Sequence, residues 1–124
     1  MEHQIPAVRI FDLPNGDSAF EHGFLPTNTK FDITTFWGMK IFEDWQHGVH
    51  PAPRRQYVIT LKGKIHFHVT DGTGFILEPG IILLVEDVNG KGHSWEFASQ
   101  DKEWIRLYVP LETNGHTFFT PTSD

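Results

Sequence analysis

Apolar and polar residues alternate with a period of two along much of this chain. The clearest stretch is 65–70, where Ile65, Phe67 and Val69 share one face and His66, His68 and Thr70 the other. Asp71-Gly72 supplies a tight hairpin turn, and Phe75–Leu77 follows, closed by Pro79-Gly80. Upstream, Tyr57–Leu61 reads as a strand ending at Lys62-Gly63-Lys64. Ile81–Val85 is apolar without interruption, as in a strand buried on both faces. Val8–Leu13 is closed by the turn cluster Pro14-Asn15-Gly16-Asp17, and Ser18–Leu25 ends at Pro26. Ile33–Phe42, His93–Phe97 and Trp104–Leu111 complete the set. No segment holds a helical period over three turns. Short strands separated by turn signals predict an all-β sandwich or barrel. Thr117–Asp124 is polar apart from one Phe pair and reads as a tail, either ordered or frayed.

Composition narrows the function classes. A chain of 124 residues suits one domain spanning 1–124, and 39% hydrophobic residues are enough for a packed core. The formal net charge of −6 argues against a nucleic-acid partner, which needs a basic surface, and against docking on an anionic membrane. With no cysteine, disulfides, zinc–thiolate sites and thiol nucleophiles are excluded. Met1–Ile10 has no apolar run of signal-peptide length, so the expected location is the cytoplasm.

The candidate chemistry lies between positions 50 and 97. If the chain runs extended from His50, then His50, Arg54, Gln56 and Thr60 share one face. Burying that mix without partners is unfavourable, which predicts a polar pocket that binds a small molecule. The alternative is a solvated edge, and Pro51 and Pro53 do break a strand ladder there. Further on, His93, Trp95 and Phe97 alternate onto one face, an imidazole beside aromatic walls. Such a histidine, with an ordinary pKa of about 6.5, serves as acid or base near neutrality. Glycines 90 and 92 suggest a close backbone approach just before it. Glu86 and Asp87 leave the apolar strand and offer a carboxylate to orient His93; a solvated turn is the equal alternative. Trp45, close to His50, is a candidate pocket wall. His66-x-His68 has metal-ligand spacing, but its place opposite the apolar face marks it as exposed.

The strings Gly48-x-His50, Gln56, Gly63, Pro79-Gly80 and His93 resemble the two motifs of the cupins. His50-Pro-Ala-Pro-Arg-Arg-Gln-Tyr57 and Gly90-Lys-Gly-His93 are similar to a bacterial subgroup of small single-domain cupins. The resemblance implies a double-stranded β-helix, a jelly-roll barrel of two packed antiparallel sheets. Its core would span about 31–111, with N-terminal strands in 1–30 and a tail from 112 to 124. It also implies a divalent metal (Fe, Mn, Ni or Zn) held by His50 and His93. The ligand pattern is eroded, however: the second His position falls on Ala52 and the Glu position on Gln56, with Glu86 or Asp87 as the available replacement. Cupins host isomerases, cyclases, lyases, dioxygenases and plain binding modules. Three functions therefore stand open. The first is an acid–base enzyme of the isomerase, cyclase or lyase kind acting on a polar or carbonyl-containing molecule. Its catalytic residues would be His93 with Glu86 or Asp87, and its binding residues His50, Arg54, Gln56, Thr60, Trp45 and Trp95. The second is a metal-dependent oxygenase, and the third a non-catalytic ligand-binding domain. Sheet edges that need cover make a homodimer the expected assembly, with Val8–Leu13 as the strand to exchange.

Overall fold

The computed structural model of the chain describes residues 4–42, 48–112 and 116–122, and among these there is no α-helix. Ten strands follow in order: β1 Gln4–Asp12, β2 Ser18–Pro26, β3 Trp37–Met39, β4 Gln56–Lys62 and β5 Ile65–Val69. Then come β6 Gly74–Leu77, β7 Ile82–Val85, β8 His93–Phe97, β9 Ile105–Pro110 and β10 Thr120–Pro121. They form a seven-stranded sheet in the order β10-β2-β1-β7-β4-β9-β3 and a three-stranded sheet in the order β6-β5-β8. The two sheets pack face to face. Their ladders are separate, so the described residues form a sandwich rather than a closed barrel. Among the described residues no helix is long and apolar enough to cross a membrane.

The main core fills the space between the sheets. Val8, Ile10, Val58, Leu83 and Val85 come from the large sheet, and Ile65, Phe67, Val69, Phe75 and Trp95 from the small one. Each set follows the period-two rule, since alternate residues of a strand face the same way. The residues in between form a second cluster on the outer face of the large sheet. There Ala7, Leu25, Tyr57, Leu84 and Val109 pack with Phe31 and Phe119. Ile82–Val85 is apolar throughout because both of its faces are covered.

The strand ladder departs from expectation in two places. The sheets are not purely antiparallel: β1 runs antiparallel to β2 but parallel to β7. A parallel pair needs a long crossover, and strands β2 to β6 supply it. β1 and β2 also belong to the main sheet, and Val8 and Ile10 sit in the same core as the later strands. Second, Ile33–Phe42 yields only the edge strand Trp37–Met39, paired on one side with β9. Apolar composition alone does not make a longer ladder where, among the described residues, β9 is the one strand that pairs with it. Of the two readings of the tail, the ordered one holds at Thr120–Pro121, which pairs with Gly23 and Phe24 of β2. A Cβ at Gly23 would lie 2.3 Å from the Thr120 carbonyl and 2.5 Å from the Phe119 ring, so glycine makes room for that closure.

Candidate functional site

A cavity of about 220 Å³ opens between the two sheets at the end nearest His50. Its apolar walls come from Val58 and Leu83 of the large sheet and Phe67 and Trp95 of the small one. Trp104 adds to this buried wall, and the exposed Trp37 and Ile41 extend the lining towards solvent. Polar atoms reach it from His50, Arg54, Gln56, His93 and Tyr108. A few polar groups set in an aromatic enclosure are the usual construction of a small-molecule site.

Local sequence explains how these groups are held. Pro51 and Pro53 delay the ladder, and β4 begins only at Gln56. The segment before it is instead tied to β8 and to the end of β7. His50 and His93 form an isolated bridge with both backbone hydrogen bonds, and the Ala52 amide donates to the Asp87 carbonyl at 3.0 Å. Gly92 makes this approach feasible. Its φ is +87°, and a Cβ there would stand 1.9 Å from the His50 carbonyl oxygen. The Asn89 and Gly90 amides donate to the Asp12 carboxylate, and the Lys91 amide to the Gly16 carbonyl. The fully buried Ser18 hydroxyl donates to the Gly92 carbonyl at 2.5 Å. The loop preceding His93 is thus fixed to the β1–β2 hairpin.

The chemical centre is a buried pair. His93 Nδ1 lies 2.6 Å from Asp87 Oδ2, and the two side chains are 7% and 0% exposed. The carboxylate cannot donate when ionised, so Nδ1–H donates to it, and Nε2 becomes the lone-pair nitrogen of the ring. Asp87 Oδ1 is buried without a partner among the described residues, which leaves His93 as that carboxylate's hydrogen-bond partner. A histidine oriented by a buried carboxylate is a proton-transfer group with a fixed tautomer. The ring of His50 lies 5.0 Å from that of His93, and its Nδ1 donates to the Gly48 carbonyl at 2.8 Å. Burial pushes the His50 imidazole below its ordinary pKa, and neighbouring His93 adds to this; the Gly48 hydrogen bond and the Asp87 charge oppose the shift without reversing it. His50 is therefore held neutral near pH 7.

Two cations shape the other side. Arg54 donates to Gln56 Oε1 at 3.1 Å, and its guanidinium lies 5.5 Å from the Trp37 ring centre at the cavity mouth. Arg106 is fully buried. It donates to the Trp104 and Ile41 carbonyls and, from Nε, to the Tyr108 hydroxyl at 2.9 Å. Its charge also stands 4.6 Å from the Trp104 ring centre. Because the Tyr108 oxygen accepts from a guanidinium, its own O–H is a donor for another acceptor, and Tyr108 is one of the residues that line the cavity.

The structure sorts the sequence-derived candidates. His93, Asp87, His50, Arg54, Gln56 and Trp95 meet at or behind the cavity. Glu86 does not: it accepts from Arg9 at 2.5 Å and from Arg55 at 2.7 Å on the opposite face of the sheet. Burial alone would raise its pKa, but the hydrogen bonds from Arg9 and Arg55 prevail and hold it below the usual carboxylate range. Successive residues point to opposite faces, so if Asp87 faces in, Glu86 faces out. Thr60 shares the inward parity but lies away from the cavity lining, where it accepts from Trp104 Nε1 at 3.0 Å. Trp45 lies outside the described residues. Tyr108, Arg106 and Trp37 were not singled out from the sequence.

The donor set does not fit the metal centre that the resemblance implies. Among the described residues no third imidazole or carboxylate joins His50 and His93 in a cluster of metal-ligand spacing. Ala52 fills one ligand position with a methyl group, and the Gln56 oxygen already faces the Arg54 cation. A scan of protein-family models finds no match to this chain, and a search of curated proteins finds none either.

Proposed function

We propose that this chain is a single-domain cupin whose cavity binds a small carbonyl-bearing acid and moves a proton on it, as an isomerase, cyclase or lyase does. The observation that carries this reading is the Asp87–His93 pair, buried and set in the wall of an aromatic cavity. The jelly-roll assignment rests on the two packed sheets and on His50, Gln56 and His93 meeting at one end of them.

The proton step follows from the arrangement. His93 Nε2 takes the proton from a carbon next to the substrate carbonyl. The C–H electron pair forms the enolate, and negative charge develops on the carbonyl oxygen. The Tyr108 hydroxyl and the Arg54 guanidinium are the donors for that charge, and Arg106 behind Tyr108 strengthens its hydroxyl as a donor. Asp87 stabilises the imidazolium formed on His93. The same Nε2 then returns the proton to the neighbouring carbon or to a leaving group. In a net acidic chain, the Arg54 cation in the cavity lining, with Arg106 buried behind Tyr108, favours an anionic ligand at that point.

Hydrogen exchange tests the half-reaction before any product is known. A panel of keto and hydroxy acids is screened by thermal shift, and the ligands that stabilise the protein are incubated with it in D₂O. Deuterium should enter at the carbon next to the carbonyl with the wild type. His93→Gln should lower that rate by about 10²-fold or more, a typical general-base contribution. Exchange that persists in His93→Gln would reject the assignment. Stabilisation without exchange would instead identify a binding domain.

A further inference from the structure

The outer face of the three-stranded sheet carries a cluster that the cavity chemistry does not use. His66 and His68 stand on the same side of β5, while Phe67 between them turns inward to line the cavity. Their ring centres are 4.1 Å apart. β8 runs antiparallel alongside and places Glu96 opposite His66. Glu96 Oε2 lies 2.9 Å from His68 Nε2 and 3.8 Å from His66 Nδ1. All three donor atoms fall within 4.8 Å of one another. On the other flank of β5, Gly74 leaves space for the imidazole: a Cβ there would come within 3.2 Å of His66 Nε2.

We propose that His66, His68 and Glu96 form a surface site for a divalent transition-metal ion of the zinc class. A tetrahedral zinc ion with bonds of about 2.0–2.2 Å holds its ligand atoms about 3.3–3.6 Å apart. The two distances to Glu96, 2.9 and 3.8 Å, straddle that span, so small rotations of exposed side chains complete the geometry. Two imidazoles and one carboxylate with an open position are a recognised zinc ligand set. Imidazole donors select zinc, nickel or copper over calcium and magnesium, which require mostly oxygen ligands. The ligands also come from neighbouring strands of one ladder, with β5 paired on both sides, so their backbone is already ordered before the ion arrives.

Calorimetric titration of Zn²⁺ into the untagged, chelator-treated full chain decides the matter. Four proteins are compared: wild type, His66→Asn/His68→Asn, Glu96→Gln, and the cavity variant His50→Asn/His93→Asn. Circular dichroism checks that each remains folded; the surface positions are exposed and should tolerate substitution. The expected result is one equivalent bound by wild type. Affinity should fall at least about tenfold in Glu96→Gln and further in the double histidine variant, and should be unchanged in the cavity variant. The proposal is overturned if wild type takes up no zinc at 100-fold excess, if the surface variants bind as well as wild type, or if the cavity variant abolishes binding.

Discussion

At the scale of single residues, the site rests on two histidines with opposite electrostatic surroundings. His93 faces a buried carboxylate, and His50 faces a backbone carbonyl and the neighbouring imidazole. The depressed pKa of His50 has a consequence for stability. In the unfolded chain an ordinary histidine takes up a proton near pH 6.5, whereas folded His50 takes it up only at lower pH. Between those two values the unfolded state binds more protons, so stability rises with pH. The contribution is complete above about pH 6.5 and is lost as pH falls through the folded value. NMR titration of the ring protons should place His50 below 6.5, and His50→Gln should flatten the stability profile over that window. A His50 titration midpoint at or above the ordinary value would refute this account. Of the acidic pair, sequence could not select Asp87. Alternation is the signal that assigns inward and outward positions, and Ile82–Val85, apolar on both faces, has none. Arg106 and Tyr108 were hidden for a related reason. Ile105, Leu107 and Val109 are the apolar positions of β9, yet Val109 packs in the outer cluster and the polar alternates turn inward.

At the scale of elements, the decisive contact is between the extended segment 50–54 and the start of β8. Much of it was legible. The paired prolines predicted a broken ladder before β4, and the glycines around Lys91 predicted a close backbone approach. What the sequence could not provide was the partner in that approach, the His50 carbonyl, because it lies far away along the chain. Gly92→Ala should therefore do two things. The positive φ strains any residue with a Cβ, and the added carbon collides with the His50 carbonyl, forcing the two histidines apart. Backbone strain of this kind is worth on the order of 1–3 kcal/mol. Gly72→Ala is the control: its φ is +98°, and nothing lies within 4 Å of its Cβ. Denaturant unfolding should show Gly92→Ala less stable than Gly72→Ala, and only the former should lose ligand stabilisation in the cavity. Equal losses in the two variants would mean that the close approach contributes nothing beyond the glycine conformation.

At the scale of the whole molecule, one sheet supports two cores. Its inner face packs on the small sheet and forms the cavity; its outer face is covered by Phe31 and by the tail at Phe119. The strand pattern correctly indicated an all-β molecule, but a polar tail with one Phe pair gave no sign that it would close an apolar face. The tail is anchored at several points. Phe119 joins the outer cluster, Thr120 and Pro121 pair with β2, Phe118 lies 4.8 Å from Phe31 between ring centres, and the Tyr57 hydroxyl donates to the Thr117 carbonyl. Burial pushes the Tyr57 pKa up to about 12, aided by the Glu86 charge, so this donor stays protonated at physiological pH. Phe119→Ala should therefore destabilise the fold by about 1–3 kcal/mol, the value of a partly to fully buried aromatic side chain. Tyr57 and Phe119 act on the outer face, whereas the cavity is lined from the inner one, so ligand stabilisation measured as a thermal shift should survive the substitution. A loss below about 0.5 kcal/mol, the usual size for a surface position, would mean that the tail rests on the sheet without holding it. Loss of ligand binding with intact stability would mean that the two faces communicate through β4, the strand that carries Tyr57 outward and Gln56 inward.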